Sequence, residues 1–281
     1  MTRSTRFAAA VLFPLALAIS AAAAPAPARA EEAWLLPTPT VSVAGAPWSV
    51  TGFVGAGFRG TAQPFAKARS TRFEMRDRPG QTQSKSTYLG GVAREGDTTW
   101  VAGTFVDARG AMIMHESQFT TRTMPGSEFD TYLKSEGLEH VRRSRAATIM
   151  TVAPGRERWR RVMKTWIGGT KPEKSRATTP FFTSLEIVPE DVPGAIEKLT
   201  FVVLDHGRQL PGALVRVWHH APGAATDSVG VALQIRTDKK GRASIALPAP
   251  GTWMLSTVHS VAADSPEADW ETTFASLTFT R

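Results

Sequence analysis

No cysteine occurs in the 281 residues. That absence excludes disulfide staples, iron–sulfur clusters, thiolate zinc sites and cysteine nucleophiles. Any metal has to be held by imidazole nitrogen or by carboxylate and carbonyl oxygen. Beyond residue 30 no stretch is apolar enough to hold the chain in a membrane. The sequence also lacks a G-x-S-x-G elbow, a zinc-protease helix, an EF-hand loop and any two His at H-x-x-x-H spacing. Ser, His and Asp all occur, as in any chain of this length, and no spacing fixes them as a catalytic set. Asp269 and Glu271 share one strand face, but Trp270 and Phe274 beside them read as the border of a buried strand. The residues therefore point away from an enzyme.

What is present begins with an address. Arg3 and Arg6 precede an apolar run from Phe7 to Ile19, and small residues close the segment at Ala28, Arg29 and Ala30. A charged start, a short apolar core and an A-x-A exit predict a secretory signal peptide over residues 1–30. The run is shorter than the roughly 20 residues a spanning helix needs, and Pro14 interrupts it. Cleavage removes three Arg and no acid, lowering the formal charge of +8 by three. The remaining excess suits anionic lipid or acidic partners and gives little support to nucleic acid. The expected location is the bacterial periplasm.

The mature chain is long enough for two domains. Residues 48–54, 98–106 and 111–121 alternate in the manner of half-buried strands. The period then changes. Ser127 precedes Phe129, Tyr132 and Leu133 at helical spacing, Gly137 ends that helix, and 138–147 resumes it. After Pro154, Trp159, Val162, Met163 and Trp166 fall at i, i+3, i+4 and i+7, which predicts another helix closed by Gly168 and Gly169. From Leu185 short strand-like runs return, with turn signals between them. The fold expected is mainly β, with two β-sandwich-like domains and a short α-helical insert. An N-terminal β-rich domain covers 31–190 with the insert at about 127–167, and a C-terminal sandwich able to fold alone covers 195–281.

The G-x-G-x-x-G spelling at 55–60 is followed by Pro64 and no helix, so it reads as a glycine-rich β-turn and not a dinucleotide site. Arg142, Arg143, Arg145, Arg156, Arg158, Arg160, Arg161 and Lys164 crowd the helical insert. They make either a docking face for an anionic partner or a solvated surface. Adjacent His219 and His220 should point to opposite faces of a strand, and His115 stands beside Glu116. His259, at a strand end before Asp264, Glu267 and Asp269, is the best single metal-ligand candidate; its other reading is a structural His bonded to a carbonyl or carboxylate.

Residues 210–217 (LPGALVRV), 237–242 (TDKKGR) and 247–253 (LPAPGTW) together resemble a prealbumin-like sandwich, with Asp238 capping a turn in which Gly241 takes positive φ. Residues 258–261 (VHSV) and 269–279 (DWETTFASLTF), with 34–37 (WLLP) and 155–158 (GRER), look like one poorly characterised bacterial periplasmic family, described as the periplasmic component of cobalt and nickel uptake systems. The resemblance implies a non-catalytic accessory or binding protein for nickel or cobalt, partnered by an inner-membrane metal permease or an outer-membrane receptor. Family members often place a His just inside the mature N-terminus, and Glu32 stands about there. The implied metal ligands are thus His259 with Glu32 or the Glu31 amino group, and binding weaker than where imidazole is supplied. The competing expectation is a structural or interaction module of the envelope, which binds a protein or an anionic surface. N-terminal sequencing of exported material should begin at Glu31; a membrane-embedded chain retaining residues 1–30 would overturn the assignment of the leader.

Overall fold

A computed structural model describes residues 32–81, 85–148, 150–225 and 231–281. The expected leader and Glu31 lie outside the described residues. In chain order the elements are β1 (Glu32–Thr38), β2 (Val41–Ser42), β3 (Pro47–Ala56), β4 (Arg59–Gln63), β5 (Ser70–Arg76), β6 (Thr87–Tyr88), β7 (Thr99–Thr104), β8 (Ala111–Ser117) and β9 (Thr120–Met124). Helices α1 (Gly126–Glu136) and α2 (Glu139–Ala147) follow, then β10 (Gly155–Gly169), α3 (Lys174–Thr178) and β11 (Leu185–Pro189). The chain closes with β12 (Lys198–Asp205), β13 (Arg208–Gln209), β14 (Leu214–His220), β15 (Val231–Arg236), β16 (Arg242–Ala246), β17 (Thr252–Ala262) and β18 (Trp270–Thr280). The fold is mainly β. No helix among the described residues is long and apolar enough to cross a membrane.

A ten-stranded central sheet runs in the order β15-β14-β17-β18-β10-β8-β5-β6, with β2 and β9 also on β10. Alternation assigns its two faces. On one, Phe73, Ile113, Met163 and Ile167 pack against Leu35, Trp48, Val50 and Val101 of the β1-β3-β4 sheet and its partner β7. On the other, Met112, Met114, Val162 and Leu277 pack against Leu185, Ile187, Phe201 and Ile245 of the β11-β12-β13 sheet and its partner β16. Helices α1 and α2 lay Phe129, Leu133, Leu138 and Val141 against Val258, with Phe274 and Trp270 at the margin. Gly137 separates the helices at φ 73°, a conformation that costs glycine little, and the Leu138 N–H donates back to the Leu133 carbonyl at 2.8 Å.

The helix expected after Pro154 is instead the long strand β10. It pairs parallel with β18 and antiparallel with β8 and β9. The physical reason is burial on both faces: Val162, Lys164 and Trp166 serve one layer while Met163 and Ile167 serve the other. A strand apolar on both sides loses its period-2 signature, and its spacing then also satisfies a helical template. The helical insert is accordingly α1 and α2 alone.

Two buried charges fasten the layers at β10. Lys164 Nζ donates to Glu186 Oε1 at 2.6 Å and to the Ile187 carbonyl at 3.0 Å, with both side chains removed from solvent. Glu186 also accepts the backbone N–H groups of Phe181 and Phe182, each at 2.9 Å. Burial holds the Lys164 ammonium below its ordinary pKa, against the opposing pull of Glu186.

The expected division near residue 190 meets a sheet that does not stop there. β10 and β18 share nine registered pairs, from Glu157–Trp270 to Thr165–Thr278, and β11 pairs with β12 across the proposed boundary. A chain starting at 195 leaves β18 without β10 and β12 without β11. Residues 195–281 alone should therefore show no cooperative thermal transition by circular dichroism, whereas the chain from Glu32 onward should; a cooperative melt of the fragment would instead support the two-domain division.

Candidate functional site

His259 lies on β17 beyond the point where β14 stops pairing, at Val215–Thr257. The open edge is taken by α2. His140 Nε2 bonds the Ser260 carbonyl at 2.7 Å, and its ring stacks on His259 with centroids 5.5 Å apart. From the β12 end comes Asp205, whose Oδ2 is 4.0 Å from His259 Nε2 and whose Oδ1 is 3.0 Å from His206 Nδ1. His206 holds φ 46°, an uncommon conformation for a residue with a side chain, in the turn between β12 and β13. Burial lowers the His259 pKa, Asp205 opposes the shift, and His140 and His206 reinforce it. The His259 ring is thus kept neutral at neutral pH, its lone pair available. The spacing is loose: among the described residues no three His, Asp or Glu side chains are grouped to hold an ion.

Glu32 does not join this corner. It is buried on β1, accepts the Gly57 N–H at 3.3 Å, and faces a small cavity it shares with Glu136, Arg161 and Arg216. β1 covers the face of the central sheet that carries Met254 and Ser276, since the Ser276 hydroxyl donates to the Ala33 carbonyl at 2.6 Å. His259 stands opposite Thr273, on the alternate face with Leu255 and Ala275. The two residues therefore sit on opposite sides of the sheet, and Glu31 lies outside the described residues. Sequence reasoning named His259 but missed His140, Asp205 and His206; no spacing along the chain marks them, because three separate elements bring them together.

The remaining candidates resolve into structural roles. His219 packs on Trp253 with centroids 4.3 Å apart and His220 lies 5.8 Å from Phe58, on opposite faces as the alternation requires. The glycine-rich stretch at 55–60 is the β3–β4 hairpin. Asp238 Oδ1 accepts the Lys240 and Arg242 N–H groups at 2.7 and 2.9 Å, and Gly241 takes φ 69°. The arginines expected on a helix alternate along β10, where Arg156 pairs with Asp269, Arg158 with Glu271 and Arg160 with Glu116. Arg142 pairs with Asp130 and Glu139. These pairs neutralise much of the basic run.

His115 is enclosed by Trp100, Phe73 and Phe65, at centroid distances of 5.0, 5.4 and 6.2 Å, and Nδ1 is buried without a hydrogen bond. Burial pushes its pKa down to about 3. An unfolded imidazole takes its proton near 6.5, so the folded state is destabilised as pH falls from there towards 3. Urea unfolding should show stability falling at about 1.4 kcal/mol per pH unit between about pH 6 and pH 4 from this group, with His259 adding in the same direction. His115→Leu should remove that part of the slope; an unchanged slope would show that His115 does not resist protonation.

A family profile described as "Domain of unknown function (DUF4198)" matches residues 28–261. No curated protein matches the chain. Among solved structures, the three N-terminal domains of the bacteriophage RB49 Highly Immunogenic Outer Capsid protein (Hoc) align over 90% of this chain and 100% of that one. The identity is 8% and the TM-score 0.18, a superposition too weak to carry an argument. The profile spans most of the chain, both outer sheets and nearly all of the central one, and on that match the chain belongs to the DUF4198 family.

Proposed function

We propose that this chain is an exported, non-catalytic binding protein of the periplasm that captures a late first-row divalent ion, nickel or cobalt, and releases it readily to a membrane partner such as a metal permease or an outer-membrane receptor. The observation that supports this reading is the corner where α2, β12 and β17 gather His140, Asp205, His206 and His259. With no thiolate in the chain, imidazole is the best available donor for these ions. His140 bonds a backbone carbonyl through Nε2, which leaves Nδ1 as its lone-pair nitrogen. His259 is neutral through burial, so it gives up no proton to bind.

The looseness of the corner sets the expected strength. Asp205 has to close on an ion from 4.0 Å away from His259, and the two rings have to unstack. That rearrangement costs affinity and favours quick release, which suits cargo better than a resident cofactor. The prealbumin-like character of the C-terminal strands belongs to the same proposal: it would place the ligands at the end of a rigid sandwich.

Calorimetric titration of the mature protein with nickel and cobalt tests the reading. His259→Ala and His140→Ala should each weaken binding by about tenfold or more at unchanged thermal midpoint. Glu32→Gln should leave affinity within about twofold, because Glu32 lies on the other face of the sheet. No binding by the parent, or equal affinity in His259→Ala, would overturn the metal role and leave the envelope-interaction module as the better account.

A further inference from the structure

The face of the central sheet opposite His259 holds a cavity of about 430 Å³, between the β1-β3-β4 sheet with β7 and the ends of β8 and β10. Its size is that of a small-molecule site. Phe53, Phe65, Trp100 and Trp159 supply aromatic walls, and Met163 and the His115 ring line it between them. The room for Trp100 is built into the sequence: a Cβ at Gly52 would stand 2.1 Å from its ring. The Trp100 indole N–H is fixed on the Gln63 carbonyl at 2.7 Å, so this wall is held in place.

The charge around the cavity has one sign. Arg69 and Arg161 line it, and no Asp or Glu is among the described residues that do. Arg69 is exposed, and among the described residues it has no carboxylate partner. Arg161 lies over the Trp159 ring at 4.8 Å and shares its other side with Glu32 and Glu136. His115 is neutral through burial and adds no charge of its own. Flat apolar walls beside an unopposed guanidinium select for a flat apolar body that ends in an anion.

We infer that this cavity is a binding site for a small organic carboxylate with a planar aromatic body, its ring against the Trp100 and Trp159 walls and its carboxylate on Arg69. The site is separate from the His259 corner and does not depend on the metal reading.

Titration calorimetry with 2-naphthoate, its uncharged analogue 2-naphthamide and the aliphatic anion octanoate tests both halves of the inference. Saturable 1:1 binding of 2-naphthoate is expected, with the amide and octanoate each at least about tenfold weaker. Arg69→Gln removes an exposed side chain and should bring 2-naphthoate down to the level of the amide at unchanged thermal midpoint. His259→Ala should leave 2-naphthoate binding as it was. Equal affinity for acid and amide, or no effect of Arg69→Gln, would overturn the anion recognition. Equal affinity for 2-naphthoate and octanoate would overturn the aromatic selectivity, and no saturable binding of 2-naphthoate up to about 5 mM would overturn the site.

Discussion

The structure hangs on β10. It is the strand through which early and late parts of the chain become one sheet, hydrogen-bonded to β8 and β9 on one side and to β18 and β2 on the other. A parallel neighbour such as β18 cannot be reached by a tight turn; the chain needs a long crossover, and here residues 170–269 intervene. That crossover builds the whole β11-β12-β13 layer with β16, together with β14 and β17, before β18 returns to its place. The outer layers then cover β10 on both faces, which is why its side chains are apolar on both.

Several of the charged groups that interrupt this burial are answered by partners from other elements. Glu157 is fully buried at the other end of β10 and accepts from Arg122 Nε at 2.5 Å, from the Tyr132 hydroxyl at 3.1 Å and from the Thr272 hydroxyl. It thereby joins β9, α1 and β18. Arg216 of β14 meets Glu136 of α1 at 2.8 Å with both side chains enclosed. Such pairs gain little net stability over apolar residues of similar size, because desolvation offsets the attraction. Their directional demands do decide which element lies where: slide α1 by one residue and both Glu136 and Tyr132 lose their partners. In this fold the buried ions specify registration, and the aromatic and aliphatic contacts supply the stability.

Much of the architecture is legible in the residues because it depends on local chemistry. Residues 48–54 alternate because β3 is half-buried, Gly137 stops α1 because glycine accepts φ 73°, and Asp238 with Gly241 announces its turn. β10 is not legible in that way. Its pattern is set by two layers made elsewhere in the chain, and Trp159, Val162, Met163 and Trp166 fit a helix equally well. The same limit applies to function. His259 could be singled out, yet its neighbours come from α2 and β12, and Glu32, the partner suggested by position, lies across the sheet.

Both candidate sites occupy places where a covering layer ends. At His259 the β14–β17 pairing has run out, and α2 with the β12–β13 turn fills the gap with polar side chains. At His115 the β1-β3-β4 layer no longer closes over β8 and β10, and the gap is left to aromatic rings and two arginines. The chemistry differs because the filling element differs. A turn and a helix end bring imidazole and carboxylate that reach across a sheet edge, whereas an incomplete sandwich leaves a cavity walled by flat residues of its own core. The central sheet supplies neither ligand set whole; it fixes the positions at which other elements must complete one.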